Sequence, residues 1–244
     1  LSLHDALPIS LATLRAVVER PELWKVSING APVDPTPGAW TLDRSFGVYD
    51  IGRAAREGEN VIILTSSPFT IHTEIEAIYV TGDFSLEPAA KGFVVTPSRA
   101  LAYGNWNAQG LPFYADGVKY VRTYDIPASA VRGGNVLVAF GGWSGSLAEV
   151  TVNGRPAGVI AFPPFELDVT SRVHPGPNTI EVTVRGTLKN TLGPHHNNPP
   201  LGRAWPNMFQ RDAQGGQPSG TAYSTIGYGL EGDFIVKRTV SGDR

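Results

Sequence analysis

The strongest constraint on the fold is a pattern that the chain carries twice. Between Leu147 and Val184 it reads LAEVTVNGRPAGVIAFPPFELDVTSRVHPGPNTIEVTV. Val150 and Val152 point to one side and Glu149 and Thr151 to the other, the period of a half-buried strand. Asn153-Gly154 follows, and both residues accept the positive φ that a type I′ hairpin demands. Asp168-Val169-Thr170 suits a short helical turn in which the Asp168 or Thr170 side chain caps free amides. Pro175–Asn178 is a second turn, after which Ile180, Val182 and Val184 resume the alternation. The same succession occurs earlier, as WKVSIN over Trp24–Asn29, then Gly30, Asp50-Ile51 and GENVIIL over Gly58–Leu64. Asp50 and Asp168 lie 118 positions apart, as do Asn60 and Asn178, while Asn29 and Asn153 are 124 apart, so one loop differs by six residues. Gly82-Asp83-Phe84 returns 150 positions on as Gly232-Asp233-Phe234, each time after a tyrosine, Tyr79 or Tyr228. Matches in one order with loop-sized drift point to a duplicated β-sandwich unit.

Composition agrees with many short strands. The 244 residues include 28 Gly and 20 Pro, scattered rather than clustered, as turns between strands require. Net charge is −2 with no basic run, which argues against a nucleic-acid partner. No stretch approaches the ~20 apolar residues of a membrane helix, so no membrane partner is expected. The absence of cysteine excludes disulfides and thiolate metal sites.

In chain order, residues 1–10 do not continue the pattern and lack the basic start of a signal peptide. They are expected to be non-native or disordered. Ala12–Glu19 alternates as a strand, with a helix ending before Pro21 as the competing reading. Trp40–Val48, Glu59–Ser66 and Ile75–Val80 read as strands, and Asp50–Arg56 as a helical turn. Too few strands precede the first Asn-Gly unit to close a sandwich. Residues 11–84 are therefore expected to be the C-terminal part of an N-terminally truncated copy, and 85–240 one complete jelly-roll β-sandwich. The second copy draws on Val118–Ile126, Val136–Phe140, the repeated unit and Leu230–Lys237. Two long loops remain, Tyr103–Gly117 and the Gly/Pro/Asn-rich Lys189–Thr225, and such loops in compact domains tend to carry function.

Four strings carry a family likeness: GAWTLDRSFGVYDI at Gly38–Ile51, EIEAIYVTGDF at Glu74–Phe84, GNWNAQGLPFYADGVKY at Gly104–Tyr120 and TLGPHH at Thr191–His196. They resemble the accessory domains of large bacterial glycoside hydrolases, above all the galactose-binding-like, family 2-type sugar-binding modules of α-L-rhamnosidase-like enzymes. The resemblance covers Val17 to about Val236. It implies an all-β, jelly-roll, galactose-binding-like module placed after a catalytic domain, in a periplasmic or secreted parent, with that missing catalytic domain and a plant or bacterial polysaccharide or glycoside as partners. A catalytic (β/α)8 barrel needs roughly 250 residues of alternating strands and helices, a pattern this sequence does not show.

Candidate sugar-contacting residues follow from chemistry, since aromatic faces stack on sugar C–H faces while amides hold hydroxyls. Trp106, Gln109, Phe113 and Tyr114 share one loop, and His195, His196, Trp205 and Phe209 share the other. The bland alternative is that these aromatics fold back to plug the sandwich. Trp24, Trp40 and Trp143 lie in or beside strands and read as core. No metal or other cofactor is expected: adjacent His195 and His196 point apart on an extended chain, with no third ligand nearby. Glycoside hydrolysis needs two carboxyl groups about 5–9.5 Å apart. Glu74 with Glu76, and Glu231 with Asp233, have same-face strand spacing, but so do acidic residues on any solvated strand. The sequence thus assigns no catalytic residue. It favours a non-catalytic carbohydrate-contacting or scaffold module, with a catalytic β-sandwich using His195 or an acidic pair as the alternative.

Overall fold

The computed structural model describes residues 9–193 and 218–240. Residues 1–8 and the candidates His195, His196, Trp205 and Phe209 lie outside them. The described chain is nearly all β, in antiparallel sheets. It divides into two compact units, Leu1–Ser85 with Val95–Ser98, and Leu86–Val94 with Arg99–Arg244.

The first unit holds β1 (Arg15–Glu19), β2 (Lys25–Ile28), β3 (Ala31–Val33), β4 (Pro35–Thr41), β5 (Asp43–Asp50), β6 (Ile62–Thr65) and β7 (Tyr79–Thr81). One sheet runs β4-β5-β1-β7 and another β3-β2-β6. Two short strands follow, β8 (Phe84–Pro88) and β9 (Phe93–Pro97). The second unit has β10 (Gly117–Ile126), β11 (Gly134–Ala139), β12 (Trp143–Ser144), β13 (Leu147–Val152), β14 (Arg155–Ile160), β15 (Glu166–Asp168), β16 (Gly176–Arg185), β17 (Gly229–Leu230) and β18 (Ile235–Val240). Its sheets run β10-β16-β13-β14 and β15-β11-β18, with β12 paired to β17.

The Asn-Gly, Asp and Asn parts of the repeat read from the sequence are a repeat of register; the Gly-Asp-Phe echo is not, since Gly82-Asp83-Phe84 follows β7 whereas Gly232-Asp233-Phe234 precedes β18. In the first unit Val26 stands opposite Leu64 and Ile28 opposite Ile62; in the second, Val150 opposite Val182 and Val152 opposite Ile180. Arg15 faces Asp50 as Leu137 faces Asp168. Side chains repeat too. Asn29, at φ 50°, donates to the Asn60 side-chain oxygen at 2.9 Å and accepts from the Val61 N–H at 3.0 Å. Asn153, at φ 52°, donates to Asn178 at 2.9 Å and accepts from Thr179 N–H at 3.0 Å. Asn60 closes its own turn by donating to the carbonyls of Arg56 and Gly58, and Asn178 does the same to His174 and Gly176.

Several local expectations fail for physical reasons. Ala12–Glu19 is a strand only from Arg15, because Leu11–Thr13 forms a 3-10 turn in which the Thr13 hydroxyl donates to the Ser10 carbonyl at 2.8 Å. Trp40–Val48 is two strands, because Leu42 takes a left-handed φ of 68° and the Asp43 carboxylate then caps the Ser45 N–H at 2.7 Å. Ile75–Val80 is irregular until Tyr79, since only Tyr79–Thr81 finds a partner strand, in β1. Trp40 is 54% exposed on the outer strand β4 and is not core.

The two cores differ in size. In the second unit Val150, Val152, Ile180, Val182, Val184, Leu230 and Phe234 pack with about no exposure. In the first, among the described residues, the core cluster comprises Ala16, Val18, Val26, Ile28, Tyr49 and Ile51, with Val17 also buried. The paired asparagines follow suit, Asn178 being 0% exposed and Asn60 exposed. Removing a buried amide orphans several backbone groups, whereas water replaces an exposed one. Asn178→Ala is therefore expected to destabilise its unit by about 3 kcal/mol and Asn60→Ala by about 1 kcal/mol or less. Urea unfolding followed by resolved NMR cross-peaks of each unit measures both; equal losses would contradict the burial argument.

Candidate functional site

The Tyr103–Gly117 loop turns inward. Trp106 opens a short 3-10 helix, Trp106–Gln109, and is 1% exposed. Its indole N–H donates to the Tyr114 carbonyl at 3.3 Å, and its ring packs against Tyr114 and Tyr228 with centroids 6.1 and 5.7 Å away. It therefore offers no face to a sugar, which corrects the expectation for Trp106: it is a plug at the end of the sandwich. Gln109 is spent likewise. Its side-chain oxygen accepts from Ala102 N–H at 2.7 Å, and its amide donates to the carbonyls of Ala102, Tyr103 and Asn105. The loop needs that amide to hold its own backbone, so Gln109 is no free sugar ligand. Phe113 joins Phe93 and Tyr223 in a mutual aromatic cluster at 4.9 to 5.4 Å. Tyr114 keeps part of its ring outside, at 37% exposure, with its hydroxyl donating to the Gly117 carbonyl at 3.1 Å.

Sequence reasoning missed a polar cluster on β10. Arg122 donates to Asp233 at 2.8 Å and to the Tyr103 hydroxyl at 2.6 Å, and its guanidinium stands 5.7 Å from the Tyr103 ring centre. Tyr103 in turn stacks on Tyr120 at 5.8 Å, nearly parallel. The clue was available: Tyr120, Arg122 and Tyr124 share one face of an alternating strand. Partial burial acts to raise the Asp233 pKa, but hydrogen bonds from Arg122 and Tyr103 outweigh it and hold the carboxyl below its usual value. A general acid in glycoside hydrolysis needs the opposite, a raised pKa. Lys189 was missed as well. Its ammonium donates to the Gly193 carbonyl at 3.1 Å and to the Ser224 carbonyl at 2.7 Å, and burial lowers its pKa.

In the first unit a cleft of about 540 Å³ opens where β2 begins and β6 ends, lined by Trp24, Leu64, Phe69 and Ile78 with Glu74 and Glu76 among its residues. Glu74 and Glu76 lie on irregular chain before β7, so the strand spacing expected of them does not apply. Among the described residues no three His, Asp or Glu side chains gather as a metal set, and no helix is long and apolar enough to cross a membrane.

Two outcomes follow. Trp106→Ala is expected to cost the second unit about 3–5 kcal/mol, the range for an aromatic core truncation, as read by thermal and urea unfolding. Asp233 is held below its unfolded pKa near 3.8, so its stabilising share is present above that pH and lost as pH falls through the folded value. Asp233→Asn should flatten this acid limb of the stability curve, with the neutral-pH fold intact by circular dichroism.

No protein-family model matches the chain. Half of it, 126 residues, is 27% identical to a Formosa agariphila protein named "Putative beta-glucuronidase", covering 11% of that protein. Among solved structures, Bifidobacterium dentium β-glucuronidase is 21% identical at a TM-score of 0.39, over 66% of this chain and 29% of the other. A rhamnosidase from Novosphingobium sp. PP1Y is 16% identical at 0.37, over 92% and 22%. A family 2 β-galacturonidase from Eisenbergiella tayi is 21% identical at 0.31, over 64% and 22%. The chain spans about a tenth of the curated relative and less than a third of these solved chains. Its sequence is thus related, at low identity and over part of its length, to a glycoside-hydrolase-named protein.

Proposed function

We propose that the chain is a non-catalytic accessory module of a bacterial glycoside hydrolase, a scaffold first and a weak sugar contact second. The observation that carries this is the sequence match to a β-glucuronidase-named protein, over only 11% of that protein's length, borne by an all-β chain. Scaffolding is favoured over sugar capture because Trp106 and Gln109 are engaged inside the second unit. Sugar contact, where it occurs, falls to the half-exposed Tyr114 and to the Tyr103–Arg122–Asp233 cluster. The α-L-rhamnosidase-like parent rests on the quoted strings, and the β-glucuronidase-named relative offers a second parent type.

The test uses aryl α-L-rhamnosides and aryl β-D-glucuronides with the isolated chain. The expected result is no turnover. Turnover that vanishes in Glu74→Gln, Glu231→Gln or Asp233→Asn would instead establish the catalytic alternative. NMR titration with rhamnose and glucuronic acid is expected to give a Kd of about 1 mM or weaker, around −4 kcal/mol, with shifts at Tyr114 that Tyr114→Ala abolishes.

A further inference from the structure

Among the described residues the first unit has no counterpart of β10, nor of the short β12 and β17, and the place of β10 in its sheet is known. Matched by register, β1, β2, β3, β5, β6 and β7 correspond to β11, β13, β14, β15, β16 and β18. The sheet β14-β13-β16 continues into β10, whereas β3-β2-β6 stops at β6 among the described residues. β10 pairs with β16 over its full length, Gly117 opposite Arg185 through Ile126 opposite Gly176.

β6 has the marks of a strand waiting for that neighbour. The Asn29 N–H bonds to the Val61 carbonyl at 2.9 Å, so the alternation of an antiparallel ladder aims the N–H and C=O groups of Ile62 and Leu64 at the open edge. An open, apolar edge is a template for another strand. Burial agrees position by position. Ile180 and Val182 are 0% exposed, while their counterparts Ile62 and Leu64 are only half-buried. Tyr124 of β10 stands opposite Asn178, which is fully buried; Asn60, in the same hydrogen bonds, is exposed. Ile63 and Val61 are 50% and 45% exposed. The cleft lies at the same end of the sheet. In the second unit that end holds Trp106, seated against Gly186 just past β16 and supplied by the chain that leads into β10.

We propose that the β6 edge is a strand-acceptor site, filled by a segment of the same parent polypeptide that precedes Leu11. Chain order selects this occupant, because β10 is the strand directly before β11 and β11 corresponds to β1. The segment runs antiparallel to β6 and carries apolar or aromatic residues at alternate positions, as Val118, Tyr120 and Tyr124 do in β10. A bulky apolar residue ahead of it fills the cleft between Trp24, Leu64 and Phe69. The inference does not depend on the sugar reading.

The test is amide hydrogen exchange by NMR on two proteins: the chain itself, and the chain extended upstream in its parent gene by a stretch the length of Tyr103–Gly133. In the chain alone, Ile62 and Leu64 should exchange far faster than Ile180 and Val182. In the extended protein they should slow by on the order of a hundredfold, the effect of converting an open edge into a paired strand, and unfolding of the first unit should shift to higher urea. Three results would overturn the proposal: strong protection of Ile62 and Leu64 in the monomeric chain, protection that appears only with concentration-dependent dimerisation in sedimentation (a second copy as occupant), or no change on extension.

Discussion

Each unit is tied by one pair of asparagines, and the rest of its sheet depends on that tie. Asn29 sits at the hairpin corner in a left-handed conformation that asparagine tolerates better than other residues with a β-carbon. Its amide donates to Ala54 and Asn60 and accepts from Val61. Asn60 folds the incoming turn onto itself, accepting from Arg56 N–H and donating to two carbonyls. A side-chain amide is both donor and acceptor, so it can stand in for a peptide group where chain direction changes. The pair therefore locks three things at once: the hairpin corner, the turn before β6, and the register of β6 on β2. Asn153 and Asn178 do this for the second unit. A one-residue slip would turn a whole strand's apolar set outward, which explains why loops vary between the copies while the paired positions do not.

The same tie works in different surroundings. Around Asn178 water is excluded, and an unmet hydrogen bond there costs the full desolvation of the group. Around Asn60 water competes for each partner. The second unit thus has a rigid knot inside a large core, and the first has an equivalent knot at the rim of a small one. What separates them is the strand β10, far from Asn178 in sequence and beside it in space.

That separation also marks how far the sequence can be read. Alternation in Glu149–Val152 and Ile180–Val184 and the Asn-Gly corners are local and were legible, as was the shared 118-residue offset of the Asp50/Asp168 and Asn60/Asn178 pairs. The burial of Asn178 against the exposure of Asn60 was not, because the two residues have the same local sequence role and differ only in a distant neighbour. Trp106 shows the limit for the site. Its loop has the composition of a sugar-binding surface, but composition does not state which way a loop folds. The Gln109 amide and the Tyr114 carbonyl settle that direction by satisfying loop and indole groups internally. Trp40 errs the other way, since an aromatic residue in a strand reads as core until the sheet order makes that strand an edge.

The distribution of aromatic residues bears on what such a module does. In the second unit Trp106, Tyr114 and Tyr228 close one end, and Phe93, Phe113 and Tyr223 form a further cluster. Rings packed against rings give stiffness and leave few faces for a ligand. In the first unit Phe69, Ile71 and Ile75 stand 63%, 91% and 84% exposed on irregular chain beside the cleft. Singly or together, exposed apolar side chains of this size are the ones whose surroundings decide whether a surface is a contact surface. Ring-on-ring packing thus accounts for the closed interior of the second unit, while the first leaves apolar side chains open to solvent around a smaller core.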